Sequence, residues 1–183
     1  SSGRSLSDWS DAWLRTSGLD TVLPELHVDD GRITDLTIVR DSVDARTGRP
    51  ANRPHTLAVG LYNLDDDVLT RSELVEVDIT SPRTPVKAVT GHRVPDLVLI
   101  NDEDFSYAKV RLDEGGTDVA LDHLSDLDEP LTRALLWSVL WNAVRDAKLS
   151  VDSYLKAVAS HAGKETDPAI LGQVLGQARQ AVS

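Results

Sequence analysis

The chain has 183 residues, enough for one full domain or a domain and a half, with 30 acidic against 19 basic side chains and a formal net charge of −11. That balance argues against nucleic acid, whose phosphates need clustered Lys and Arg, and against an anionic membrane surface. There is no apolar run of about 20 residues to span a bilayer, and with no cysteine there is no disulfide, thiol nucleophile or thiolate metal site.

Apolar residues make up 40% and charged residues 27% of the chain, which suits a folded soluble protein of a reducing compartment; the expected location is cytoplasmic. Methionine is absent and the chain opens Ser1-Ser2-Gly3, so a fragment of something longer, or a processed chain, is expected.

Residues 5–17 read as a short amphipathic helix. Ser5 serves as N-cap with Asp8 three residues on, Leu6, Trp9 and Trp13 share one face, and Gly18 stops it. Two tryptophans on so short a helix need a surface to pack on.

From about residue 19 to 113 the period is two. Val75, Val77 and Ile79 alternate with acids, and Ala108, Val110 and Leu112 alternate with Lys109 and Arg111. Leu57, Val59 and Leu61 form a third set, and Ile33, Leu36 and Ile38 a weaker one. Leu97 to Ile100 reads as a strand buried on both faces. Turn chemistry divides them at Asp29 to Gly31, Thr47 to Pro50, Asp65 to Asp67, Pro82 to Pro85 and Gly91 to Pro95. Short strands without intervening helices predict an antiparallel β-sandwich.

After Gly115-Gly116 the period becomes helical. Helices are expected over 117–127, 130–148, 150–162 and 167–182, with Pro130 in a first turn and Asp167-Pro168 opening the last. The second is apolar on most of its circumference and should be central. Paired helices of this kind stack into bundles or solenoids. The expected organisation is therefore a terminal helix (1–18), a β-sandwich domain (19–114) and the opening helices of a solenoid-like α-helical domain (115–183).

No catalytic or metal-binding residue stands out. The five histidines include no i, i+4 pair and no H-E-x-x-H, so they read as surface or boundary residues. The acidic runs Asp65-Asp66-Asp67 and Asn101-Asp102-Glu103-Asp104 could offer oxygens to calcium, but they lack EF-hand spacing and read first as solvated turns. No Gly-x-Ser-x-Gly elbow or phosphate loop is present. Trp137 and Trp141, four residues apart in an apolar helix, are read as core rather than a sugar platform. Trp9 and Trp13 mark a domain contact.

Three stretches, Asp8 to Leu26, Leu97 to Glu114 and Arg133 to Val158, resemble the region that follows the catalytic domain in zinc aminopeptidases of the aminopeptidase N type, the actinobacterial form in particular. The phrase from Tyr107 to Arg111 is the most specific part, followed by the helix with Trp137 and Trp141. The resemblance implies a β-sandwich and then a helical domain roofing a peptide chamber, with Trp9 and Trp13 in the tail of a preceding catalytic domain; Tyr107 is expected to be a structural residue of the core or of a domain contact. It implies zinc and peptide substrates for the parent enzyme, but no cofactor and no catalytic activity in this stretch, whose sequence lacks the zinc motif and, having no Met, the G-A-M-E-N substrate-amine motif. Apolar surface near Trp9, Trp13 and the last helix is expected to support dimerisation of the fragment. The alternatives are a free-standing binding module using its acidic loops for calcium or another ligand, and a hydrolase working through paired acids.

Overall fold

The computed structural model describes residues 13–14, 16–51 and 53–182. Seven strands come first: β1 (Asp20–Asp29), β2 (Arg32–Asp41), β3 (His55–Asp65), β4 (Val68–Ile79), β5 (Arg83–Pro85), β6 (Leu97–Ile100) and β7 (Ala108–Val110). Four helices follow: α1 (Glu114–His123), α2 (Pro130–Arg145), α3 (Val151–His161) and α4 (Pro168–Ala181). Of the expected first helix, Trp13 and Leu14 are helical, while Ser5, Leu6, Asp8 and Trp9 lie outside the described residues.

The strands form two sheets, ordered β5-β2-β1-β7 and β4-β3-β6. The expected sandwich of antiparallel strands is present with one exception: β7 joins β1 in parallel, Asp20 opposite Ala108 through Val22 opposite Val110. Alternation reports which side chains face inward but not strand direction. β7 arrives from the loop after β6, in the other sheet, and runs beside the strand that opens the sandwich.

Two hairpins show why acids sit at strand tips. Asp30 and Gly31 have φ of 47° and 68°, and Asp66 and Asp67 have 52° and 61°. A two-residue hairpin turn with both residues left-handed matches the twist of its strands, and Asp tolerates that region better than most side chains. Asp65-Asp66-Asp67 is thus the end of β3 and the turn into β4.

Inward side chains of both sheets, among them Val22, Ile38, Leu57, Val59, Ile79 and Leu99, are essentially inaccessible and form one continuous core with the helices. β6 is buried at every residue, because one face meets the sandwich core and α1 packs against it. The first helix begins at Glu114, three residues before the expected start, and Gly115 and Gly116 are helical. Asp113 caps it by accepting from Gly116 N at 2.7 Å, and a Cβ on Gly116 would come within 3.2 Å of Leu97 Cδ1. A bare backbone is what lets α1 sit down on β6.

The α2 helix packs against α1, α3, α4 and β7, and buries Leu136, Trp137, Val139 and Leu140. The Tyr154 ring on α3 lies 6.0 Å from Trp137, edge on, and 5.5 Å from Trp141, while its hydroxyl donates to Gln177 Oε1 on α4 at 2.8 Å. One aromatic group thereby ties three helices together. Trp137 is 1% exposed and its indole N–H meets no partner among the described residues. Trp137→Ala should therefore cost about 3–5 kcal/mol of stability, whereas Trp137→Phe, which forfeits no hydrogen bond, should cost clearly less; chemical denaturation of the two variants measures the difference.

Candidate functional site between the sandwich and the helices

Among the described residues, two buried polar clusters each join one segment of chain to another. The first surrounds Asp102. Its residue is 1% exposed, although the run Asn101 to Asp104 is expected to be a solvated turn. Asn101 is buried as well, with a left-handed φ of 63°, and this conformation turns Asp102 inward. The Tyr62 hydroxyl donates to the carboxylate at 2.7–2.8 Å, Arg71 Nη1 lies 3.2 Å from Oδ2, and Thr132 Oγ1, in the first turn of α2, is 3.4 Å from Oδ1. Glu103 also accepts from Arg71, at 2.7 Å. A cleft of about 190 Å³ opens here, lined by Tyr62, Arg71, Asp128, Glu129 and Thr132.

Burial is the largest influence on Asp102 and raises its pKa above the ordinary 3.8; hydrogen bonds from Tyr62 and Arg71 offset this only in part. The phenol of Tyr62 is pushed up too, first by burial and then by the adjacent carboxylate. Gly60 makes the arrangement possible: a Cβ there would overlap Asp102 Oδ2 and lie 2.8 Å from Tyr62 Cε2.

The other end of α2 is fastened by a different charge cluster. Asp146, the C-cap residue, accepts from Lys109 Nζ at 2.9 and 3.0 Å and from Arg111 Nη2 at 3.0 Å. Those hydrogen bonds, Lys109 first, lower its pKa. A carboxylate is out of place at the negative end of a helix dipole, and the two cations from β7 and its continuation compensate it. The helix loops are tied in turn by Arg133, which donates to Leu127 O and Asp128 O and forms a forked pair with Glu165.

The second buried cluster lies where the chain enters the sandwich. Asp20 Oδ2 accepts from His55 Nε2 at 2.8 Å; its other oxygen accepts from Ser42 Oγ at 2.7 Å and pairs with Arg53. His55 Nδ1 meets Ser106 Oγ at 2.6 Å. Arg53 continues to Thr16 Oγ1 and Ser17 O, both at 2.8 Å. Trp13 stacks edge-on against His55, with ring centroids 5.2 Å apart. Burial alone would raise the Asp20 pKa, yet the hydrogen bonds from His55 and Ser42 and the charge of Arg53 together bring it below the ordinary value.

His55 and His161 are buried, at 2% and 5% exposure, so these two are not the surface or boundary residues expected. Each has both ring nitrogens bonded; His161 meets Leu121 O and Ser125 Oγ, both at 2.7 Å. Serine, histidine and aspartate are thus linked at residues 106, 55 and 20, a constellation that sequence spacing does not signal. The linkage is that of a nucleophile relay, but its chemistry differs. Arg53 already neutralises the acid, and the Ser106 amide, which an oxyanion would need, donates to Asn101 Oδ1 at 3.0 Å. The cluster is a buttress under the entering chain.

Among the described residues no three or more His, Asp or Glu side chains come together as a metal site, and a cation at the Asp20–His55 pair would meet the guanidinium of Arg53. That pair therefore does not fit a zinc ion. Of the residues singled out in the sequence, Trp137 is core, Trp141 packs on it half-buried, Trp13 lies on His55, Tyr107 is 76% exposed, and Trp9 lies outside the described residues.

Residues 97–183 match the ERAP1-like C-terminal domain family. Along 99% of its length the chain is 41% identical to the aminopeptidase N of Streptomyces lividans, and it spans 22% of that protein. The resemblance expected from the three stretches is shown, and it extends through all seven strands and all four helices.

The two buried carboxylates have opposite proton affinities, which gives a signed pH test. A lowered pKa stabilises the fold above the ordinary carboxylate range and loses that contribution as pH falls; a raised one favours the fold at low pH and loses as pH rises through it. As pH falls from about 5 to 2 the advantage of the unsubstituted chain over Asp20→Asn should shrink, while as pH rises from about 4 to 7 Asp102→Asn should gain on the unsubstituted chain. Urea denaturation across those ranges measures both. Gly60→Ala should cost about 1–3 kcal/mol at any pH through overpacking.

Proposed function

We propose, from the match of residues 97–183 to the ERAP1-like C-terminal domain family, that this chain is a non-catalytic portion of a zinc-dependent aminopeptidase that removes residues from the N-termini of peptides. The observation that carries the proposal is the 41% identity to an aminopeptidase N sustained over 99% of the chain. In this reading residues 1–18 end the catalytic domain, 19–114 form a spacer sandwich and 115–183 begin the helical domain that roofs a substrate chamber. Zinc is held by polypeptide outside this stretch, and the parent enzyme works in the cytoplasm. No helix among the described residues is long and apolar enough to cross a membrane.

The fastening of α2 at both ends suits that role. A roof must hold its distance from the catalytic floor, and Thr132 at one end and Asp146 at the other fix the angle between helices and sandwich. Exclusion of folded substrates follows from shape rather than from any reactive group in this chain.

Two measurements test the proposal. The uninterrupted gene product should hydrolyse aminoacyl-nitroanilides, lose that activity to a chelator and regain it with zinc, whereas this chain alone should do neither; stoichiometric zinc and hydrolysis by the chain alone overturn the reading. In the uninterrupted protein, Asp146→Ala should raise KM for long peptides more than for nitroanilides, because it loosens the roof and leaves the reacting groups in place.

A further inference from the structure

We propose that Phe105 and Tyr107 form a preformed docking surface for the catalytic polypeptide of the parent aminopeptidase. The inference rests on the reading above and assigns it a contact surface. Phe105 is 63% and Tyr107 76% exposed. Phe105 is the chain's single phenylalanine, and Tyr107 is one of three tyrosines. The other two, Tyr62 and Tyr154, are buried at 2% and 0% exposure.

Exposed aromatics on a loose loop would fold down onto the nearest apolar surface. This loop is held instead. Asn101 Oδ1 accepts from Ser106 N at 3.0 Å, Asn101 Nδ2 donates to Ser106 O at 2.8 Å, and Asp104 N donates to Asn101 O at 2.8 Å. Ser106, between the two aromatics, is anchored from below at 2.6 Å by His55, itself fixed by Asp20. Asn101 and Asp104 both have left-handed backbones, φ 63° and 54°, which these hydrogen bonds maintain. The buried cluster therefore presents two large apolar side chains outward at little further entropic cost, the arrangement expected of interface anchors.

Position identifies the occupant. Trp13 packs on His55, the residue beneath Ser106, so the aromatic pair flanks the place where Thr16 and Ser17 lead into the sandwich. The chain spans 22% of the aminopeptidase it resembles, so most of such a protein is available to cover the patch. Thr16 and Ser17, held by Arg53, lie at this end of the sandwich. The tips of the β1–β2 and β3–β4 hairpins, with Val28 and Val68, lie at the other end: β1 leaves Ala108 at Asp20 and β3 leaves Ser106 at His55.

The test uses the uninterrupted gene product with any native cysteines replaced. Phe105→Cys, Tyr107→Cys, Val28→Cys and Val68→Cys are labelled in turn with a maleimide, and all four are surface positions in this chain. Cysteines at 105 and 107 should react at least about tenfold more slowly than those at 28 and 68, independently of protein concentration, as expected for a surface exposed only by local opening. Equal rates overturn the proposal. Protection that vanishes on dilution also overturns it, since a second copy would then be the occupant. Nitroanilide hydrolysis by the same preparations separates the two ideas: activity with equal labelling rates sinks the docking surface alone, and protection without activity sinks the aminopeptidase reading alone.

Discussion

A carboxylate with no access to water must find its hydrogen bonds inside the protein, and the position of α2 follows from how Asp102 does so. Tyr62 comes from the centre of one sheet, Arg71 from the strand beside it and Thr132 from the first turn of α2. If α2 moved away, Thr132 would leave with it and the cleft would widen around a partly solvated acid. The helices and the sandwich are thus joined by a polar requirement as well as by the shared apolar core. The ion cluster at Asp146 adds a second fastening near the opposite end of the same helix.

The two buried acids solve the same problem differently. Asp20 has a guanidinium, an imidazole and a hydroxyl, enough to keep it charged at an acidity where most carboxylates are neutral. Asp102 has a phenol, a threonine and an arginine that is itself shared with Glu103, and burial wins. The first cluster holds the entering chain and the second holds the helices. They meet through one loop, since Asn101 grips Ser106 while its neighbour Asp102 faces the opposite way. A Ser-His-Asp constellation within such a scaffold shows how connectivity alone can mislead: a relay also needs an acid free to support the imidazolium and a donor for the oxyanion.

The chain is similar to part of an aminopeptidase N, and the physical reading proposes a structural task for it. Nothing in the described residues gathers ligands for a metal, while much of the buried polar chemistry is spent on holding elements at fixed angles.

Local pattern was enough for the elements. Alternation at Leu57 to Leu61 and Val75 to Ile79, Pro130 in a first turn, and Asp167 as a cap each depend on contacts within a few residues, so the sequence alone determined them, together with the order of strands before helices. Even the acidic triplet at 65–67 is explained locally, by left-handed turn geometry. Tertiary structure alone decided the parallel pairing of β7 with β1, the burial of His55 and Asp102, and the meeting of residues 20, 55 and 106. Those outcomes depend on partners 30 to 88 positions apart in the chain, from Thr132 with Asp102 to Asp20 opposite Ala108. A polar side chain in a one-dimensional string looks the same whether water or a distant arginine will satisfy it, and only the folded chain selects between them.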